Sequence, residues 1–160
     1  MKQLWAPWRM EYIKKDKPDE CIFCLLPKES DDAKNYILYR GHSVFIIMNI
    51  FPYNSSHLMV SPFKHIGCLT KQNASENKEM TQLIHSSIKI LRSVINPEGF
   101  NIGYNIGKAG GAGYDEHIHC HIVPRWIGDT NFTPVLGETK VNPEHLQATY
   151  NKLPPQFKKL

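Results

Sequence analysis

The sequence lacks any hydrophobic run long enough to cross a membrane. Its longest apolar stretches, such as the one around Val44 to Met48, are far shorter than the roughly 20 residues that a spanning helix needs. The first residues carry positive charge but no apolar core of the length found in secretory signal peptides. These absences predict a cytoplasmic protein that does not bind a membrane.

Cysteine is scarce, and basic residues do not cluster. An intracellular chain keeps its four cysteines reduced, so the close pair Cys21 and Cys24 indicates a metal clip or a redox motif before it indicates a disulfide. The net charge is only +4, from 19 basic and 15 acidic residues. This charge suits an anionic small molecule as well as it suits nucleic acid, and we expect no nucleic-acid partner.

The length and composition are typical of one globular domain. A chain of 160 residues can bury about two-thirds of its unfolded surface without the help of disulfides or metal ions. Hydrophobic residues make up 41% and charged residues 21% of the chain, as in ordinary soluble proteins. We therefore expect a single domain over residues 1–160, with an N-terminal extension of about residues 1–30 and a C-terminal tail of about residues 125–160.

Short runs of β-branched and aromatic residues predict about five strands. They cover residues 36–39, 43–49, 57–61, 100–106 and 117–123. Apolar residues recur every three or four positions from Met80 to Ile95, which predicts one long helix that starts after Asn73 or Ser75 and stops at Asn96. A second, short helix is expected from Pro143 to about Leu153.

Histidine alternates with apolar residues in the segment EHIHCHIVP, residues 116–124. Successive side chains of a strand point to opposite faces, so His117, His119 and His121 would line one open face roughly 6.5 Å apart. A surface strand with accidental histidines is one alternative. A metal site that adds a third ligand from elsewhere is another.

The segment just before the histidines is rich in glycine. Gly107–Gly113 contains four glycines, which let backbone N–H groups approach an anion without obstruction. Alone, it would predict only a flexible turn between antiparallel strands. Beside three histidines, a phosphate cradle is favoured.

The spacing of Cys21 and Cys24 lets both thiolates reach one tetrahedral ion. A closed structural site would need two more ligands from elsewhere in the chain. The alternative is a pair of unlinked, buried cysteines.

Three segments carry a resemblance to a known family. His117–Val123 matches the His-φ-His-φ-His-φ-φ signature of the histidine-triad superfamily of nucleotide hydrolases and transferases. Asn49–Pro62 resembles the ribose-binding strand, turn and following strand of that superfamily. Leu4–Ile13 and the tail from Pro124 to Val141 look most like bacterial diadenosine tetraphosphate phosphorylases. The resemblance implies an α+β fold, with an antiparallel sheet of about five strands crossed by one long helix, and a homodimer.

The resemblance also implies catalytic roles for four histidines. His119, the middle histidine, would attack the α-phosphorus, and a neutral imidazole is a good nucleophile near pH 7. His121 would face the same phosphate, next to His117 on the same strand. His57 would support the site from the neighbouring strand, although an ordinary hydrogen-bonded histidine at a strand start explains it equally well.

Substrate-binding residues follow from the same resemblance. Asn49 matches the position that contacts the ribose, while Asn105 and the backbone around Gly111 and Gly113 would bind nonbridging phosphate oxygens. Many relatives place glutamine or serine near the end of the glycine-rich loop, where this chain has Ala112–Glu116. Backbone amides can replace side-chain donors in an anion site, so the reaction class is unchanged.

Zinc-bearing members of the superfamily imply the two missing metal ligands. These correspond to His65 and His117, which would join Cys21 and Cys24. Zinc is therefore the expected cofactor, with a structural role. It would link the N-terminal segment to the catalytic strand by binding residues of both.

The function implied is hydrolysis or phosphorolysis of dinucleoside polyphosphates, with an adenine nucleotide as the substrate. If inorganic phosphate is the acceptor, Lys108 and Arg125 are candidates to hold it. A nucleoside phosphoramidase is the nearest enzymatic alternative. A regulatory module that binds nucleotide without useful turnover is the alternative from another class.

Overall fold

Five antiparallel strands form one sheet in the computed structural model, which describes residues 20–129 and 144–160. The strands are β1 (Ile37–Arg40), β2 (Val44–Met48), β3 (Leu58–Pro62), β4 (Gly99–Tyr104) and β5 (Cys120–Arg125). Their order across the sheet is β1-β2-β3-β5-β4, which places β5 between β3 and β4 and leaves β4 at an edge of the part of the sheet that the structure describes. The predicted α+β fold with a five-stranded antiparallel sheet is confirmed.

Four helices accompany the sheet in the described residues. They are α1 (Ile22–Leu25), α2 (Ala74–Ile95), α3 (Leu146–Lys152) and α4 (Pro154–Phe157), with short 3₁₀ turns at Leu26–Lys28, Leu69–Lys71 and Lys108–Gly110. The second predicted helix was placed too early: it begins at Leu146, because His145 is still extended and its side chain accepts the backbone N–H of Gln147. Pro143, its expected start, lies outside the described residues.

The long helix α2 has a sharply defined start and end. The Asn73 side chain accepts the N–H of Glu76 at 2.8 Å, and the Glu76 carboxylate accepts the N–H of Asn73 at 2.9 Å. This reciprocal capping box satisfies two amides that the first turn leaves without helical partners. The helix ends where Asn96 takes a left-handed conformation with φ 44°. The expected boundaries of this helix are confirmed.

Two apolar clusters cover the two faces of the sheet. The first packs residues of the strands, among them Ile46, Leu58 and Ile122, against α2 and the C-terminal helices. The second lies on the opposite face and contains Phe23, Ile37, Phe45, Ile47 and Met59. All five residues of β2 are buried because both faces of this strand are covered. The face opposite α2 is the one that carries the candidate site.

Within residues 20–129 and 144–160, no helix combines the length and the apolar character needed to cross a bilayer.

Candidate active site and metal cluster

The interior strand β5 and the residues just before it carry the three histidines. His121 lies opposite Met59 of β3 and Gly103 of β4 in the strand register. Because directly opposite residues share a face and Met59 belongs to the second apolar cluster, His121 faces away from α2. Regular pairing begins only at Cys120, so the expected strand start at His117 is wrong by three residues.

The three imidazoles are buried, which corrects the expectation of an open face. His117 is 1% exposed, His119 5% and His121 8%. Two aromatic rings from distant parts of the chain cover them. Phe23 lies with its ring centroid 4.5 Å from that of His119 and 5.3 Å from that of His117, and Tyr53 lies 5.5 Å from that of His121. Burial makes the charged form of an imidazole unfavourable, so the site holds neutral histidines.

His119 is held in one tautomer by a backbone carbonyl. Its Nδ1 lies 2.8 Å from the carbonyl oxygen of His117. A carbonyl oxygen can only accept, so Nδ1 must carry the hydrogen and Nε2 must carry the lone pair. Burial also lowers the pKa of His119 below its usual value near 6.5. The Nε2 atom is therefore a neutral, unprotonated nitrogen at pH 7.

His121 is held in the opposite tautomer by a chain of hydrogen bonds. The backbone N–H of Tyr53 donates to Nδ1 of His57 at 3.1 Å, so the hydrogen of the neutral His57 ring is on Nε2. That Nε2–H donates to Nδ1 of His121 at 2.9 Å, which places the hydrogen of His121 on its own Nε2. Burial, with a smaller contribution from repulsion by His119 when that ring is also protonated, lowers the pKa of His121 to about 4.

The Nε2–H group of His121 is a buried donor without a hydrogen-bond partner among the described residues. A buried donor without an acceptor lowers the stability of the folded state by about 1–3 kcal/mol, so such donors are rare in folded proteins outside functional sites. A substrate oxygen would satisfy it. The site thus presents a lone pair on His119 Nε2 and a hydrogen on His121 Nε2.

Asn49 supports His57 in the structure. Its side-chain oxygen accepts the N–H of Phe51 at 2.9 Å, and its side-chain nitrogen lies 3.3 Å from Nδ1 of His57. Its backbone N–H donates to the carbonyl of His57 at 2.9 Å. These contacts fix the turn before β3, while contact of Asn49 with a ribose stays a prediction.

The glycine-rich loop joins β4 to the histidine segment. Asn105 follows the end of β4 and is half-buried, while Gly111 and Gly113 are exposed. Gly107 and Gly111 flank a 3₁₀ turn with φ values of 71° and 84°, where a residue with a side chain would be strained. Binding of phosphate oxygens by this loop stays a prediction.

A second cluster lies beside the histidines and has the composition of a metal site. The ligand atoms of Cys21, Cys24, His65 and His117 all lie within 4.8 Å of one another. Cys24 Sγ is 3.2 Å from His65 Nδ1 and 3.4 Å from His117 Nδ1, and Cys21 Sγ is also 3.4 Å from His117 Nδ1. Ligand atoms placed about 2.0–2.3 Å from one zinc ion in a tetrahedron would lie roughly 3.3–3.8 Å apart. These four residues therefore fit a closed zinc site.

The protonation of the cluster agrees with this fit. His117 Nε2–H donates to the carbonyl of Pro62 at 2.8 Å, which leaves Nδ1 with the lone pair that a metal ligand needs. Burial lowers the pKa of His117 to about 4 and raises the pKa of the Cys21 thiol. A divalent cation would reverse the effect on the thiol, because coordination stabilises the thiolate. All four cysteines of the chain are free of disulfides.

Three contributors to the site were missed from the sequence. Phe23 covers two of the histidines, the backbone of Tyr53 sets the tautomer of His57, and the carbonyl of Pro62 orients His117. The place of Phe23 could have been inferred from the sequence, because a residue between two metal-binding cysteines lies next to the metal site that holds them. No sequence signal indicates the roles of the two backbone groups.

With this geometry, comparison with known proteins identifies the family. Residues 30–126, more than half of the chain, match the family model of the HIT domain. The chain belongs to the HIT family. The resemblance to the histidine-triad superfamily is thereby confirmed.

Known proteins resemble the chain over most of its length. An AP-4-A phosphorylase of Mycobacterium tuberculosis is 34% identical over 166 residues, which cover 98% of this chain and 85% of that protein. A zinc-bound histidine triad family protein from Mycobacterium smegmatis has a TM-score of 0.69 at 23% identity, over 87% of this chain and 94% of that one. The diadenosine triphosphate hydrolase of Plasmodium falciparum has a TM-score of 0.64 at 17% identity, over 95% and 91%. The two structural matches support the fold alone.

Proposed function

We propose that this HIT protein cleaves dinucleoside polyphosphates such as diadenosine tetraphosphate through a covalent nucleotidyl-histidine on His119. The opposite tautomers of His119 and His121 are the observation that carries the proposal. One buried nitrogen offers a lone pair, and its neighbour offers a hydrogen that no described residue accepts. The 34% identity to an AP-4-A phosphorylase supports the choice of substrate.

The first half-reaction uses both nitrogens. His119 Nε2 attacks the α-phosphorus, the new P–N bond forms, and the bond from that phosphorus to the bridging oxygen breaks. The Nε2–H group of His121 donates a hydrogen bond to the departing oxygen. The imidazole of His119 becomes cationic, and the carbonyl of His117 stabilises it by accepting a stronger hydrogen bond from Nδ1–H. An acceptor oxygen then attacks the phosphorus and returns the electron pair to Nε2.

The test of this step is His119→Ala. We expect turnover of diadenosine tetraphosphate to fall on the order of 10⁴-fold or more while nucleotide binding persists, because the lost group acts in the transition state. His85→Ala removes an exposed histidine of α2 and should keep the wild-type rate. Mass spectrometry of the quenched wild-type enzyme should show a nucleotidyl adduct that the His119 variant lacks. Substantial turnover by His119→Ala would refute the assignment.

Turnover of different substrates distinguishes the proposed function from a regulatory module and from a phosphoramidase. Wild-type protein that binds nucleotide without releasing product would be a regulatory module. Faster cleavage of a nucleoside phosphoramidate than of any dinucleoside polyphosphate would make it a phosphoramidase. Neither alternative has an observation in its favour beyond the shared chemistry of the two histidines.

Inorganic phosphate is the acceptor that the M. tuberculosis relative suggests. Phosphorolysis of diadenosine tetraphosphate would yield ADP and ATP, whereas hydrolysis would yield AMP and ATP. Arg125 is already bound to Asp129 at 2.7 Å and to Asn101 at 2.6 Å, so the exposed Lys108 is the better candidate to hold the phosphate. Labelled phosphate should enter the ADP, and Lys108→Met should raise the KM for phosphate. Products that do not change over a wide range of phosphate concentration would leave the protein a hydrolase.

Zinc is the proposed occupant of the cluster formed by Cys21, Cys24, His65 and His117. Bound there, it would tie the segment around α1 to the residues that lead into β5. The four ligand atoms and the tautomer of His117 support this assignment, as does the zinc-bound relative from M. smegmatis. Elemental analysis of carefully purified, reduced protein should find one zinc per chain.

A homodimer is the proposed assembly, formed at the edge of the sheet. Among the described residues β4 has a strand on only one side, and Ile102 on this strand and Ile106 just beyond it are 43% and 45% exposed. A second copy could pair along this edge and cover both side chains. The half-buried Trp126 could contribute to such an interface, as could Trp5 and Trp8, which lie outside the described residues. Sedimentation should give a dimer, and Ile102→Asp should weaken it.

A further inference from the structure

Phe23 is placed by the cysteine pair. The single turn of α1 has Cys21 as its N-cap, and the N–H groups of Cys24 and Leu25 both donate to the carbonyl of Cys21 at 2.9 Å. Phe23 therefore stands between two candidate metal ligands on a short, hydrogen-bonded turn. Its side chain points into the protein and is 2% exposed.

The ring of Phe23 lies against the ring of His119. The two centroids are 4.5 Å apart, and the rings are inclined by only 23°, which is a stacked arrangement. The ring of His121 meets His119 edge to face at 4.8 Å and 74°. With Nδ1 bound to the carbonyl of His117, the imidazole of His119 is constrained by two neighbouring rings and one hydrogen bond.

We propose that Phe23 is a positioning residue for His119. The stacked ring fixes the plane of the imidazole, so that Nε2 points at the α-phosphorus, and it keeps water from that face of the ring. The proposal rests on the proposed role of His119 as nucleophile. A group of this kind lowers the barrier by removing orientations that cannot react, an effect that appears in the rate of the chemical step.

Ordinary core packing is the alternative explanation of Phe23. The same apolar cluster contains Phe45, which is fully buried and stacks on Phe63 with centroids 5.1 Å apart. Replacing either phenylalanine with leucine removes a ring from one cluster, but only Phe23 touches His119 in a ring contact. Phe45→Leu is therefore the matched control for Phe23→Leu.

The kinetic experiment compares the two variants with wild type. The rate constant for formation of the nucleotidyl-histidine is measured by rapid quench, and kcat and KM are measured for diadenosine tetraphosphate. We expect Phe23→Leu to slow adduct formation about 10-fold, the upper range for loss of one aromatic pair, with KM within about threefold of wild type. Phe45→Leu should keep the rate constant within about twofold. Equal rate constants in the two variants would overturn the proposal.

A second measurement does not depend on turnover. Long-range ¹H–¹⁵N spectra report which nitrogen of His119 carries the hydrogen. Wild type and Phe45→Leu should show the Nδ1–H tautomer alone, and Phe23→Leu should show exchange between tautomers because the ring can leave the carbonyl of His117. A pure Nδ1–H tautomer in Phe23→Leu would overturn the proposal.

The two measurements separate this proposal from the proposed function. If wild-type protein turns over no dinucleotide, the proposed function fails, and the tautomer comparison decides the positioning role by itself. If Phe23→Leu does not fold, Phe23→Met replaces it, because methionine fills a similar volume without a ring. The same two outcomes then support or overturn the role of Phe23.

Discussion

Protonation of His121 should destabilise the folded protein in mild acid. Burial lowers the pKa of this histidine from near 6.5 to about 4, so between these values the unfolded chain binds more protons than the folded one. The contribution to stability is present above about pH 6.5 and is lost as the pH falls toward the folded pKa. A shift of this size corresponds to a loss of about 2 kcal/mol at pH 5.

The assay is urea unfolding at pH 7.5 and pH 5.0 with His121→Gln beside wild type. The variant has no group to titrate at this position, so its loss of unfolding free energy between the two pH values should be about 2 kcal/mol smaller than that of wild type. His85→Gln removes an exposed histidine of α2 and should behave as wild type does. The same pH-dependent loss in His121→Gln and in wild type would refute the reasoning, because the buried imidazole would then bind its proton as readily as in the unfolded chain.

Two further predictions concern stability. Ser56 has φ 59° and a buried hydroxyl without a hydrogen-bond partner among the described residues. Ser56→Gly removes both costs, so it should raise the unfolding free energy by about 1 kcal/mol. Calorimetry should show a rise in Tm of about 2–4 °C. Ser56→Ala keeps the backbone strain and should gain less, and an unchanged or lower Tm in the glycine variant would contradict this reading. Cys24→Ser should abolish stoichiometric zinc and lower stability by about 3 kcal/mol or more, while kcat falls far less than in His119→Ala. If Cys24→Ser loses zinc and keeps the Tm of wild type, zinc has no structural role.

Local sequence signals were enough to predict the elements of the fold. The β-branched runs located the first four strands to within two residues at each end, because the turns between them are rich in Gly, Pro, Asn and Ser. The start and stop of α2 followed from Asn73 and Asn96, whose roles depend on the adjacent residues alone. Features that depend on neighbours in sequence are the ones that a single sequence can show.

The burial of the histidines could not be predicted from their alternation. Phe23 covers His119 from 96 positions away, and Tyr53 covers His121 from 68 positions away, so only the assembled fold brings these rings together. The tautomers depend on backbone groups whose direction is set by the turns before β3 and β5. Alternation could place three imidazoles on one face, but it could not show which of their nitrogens would be left for a substrate.

His117 joins the two parts of the site through different atoms. Its imidazole lies in the cysteine cluster and donates to Pro62, while its backbone carbonyl receives the hydrogen of His119. In the proposed reaction the first histidine of the motif needs no contact with phosphate, because that reaction uses only the lone pair of His119 and the hydrogen of His121. A displacement of the imidazole of His117 would also move its carbonyl, and the carbonyl sets which nitrogen of His119 keeps a lone pair. In the proposed mechanism the alternating motif thus contains one anchor and two reacting groups. Its three buried histidines differ in their hydrogen-bond partners, and the two reacting ones also differ in tautomer.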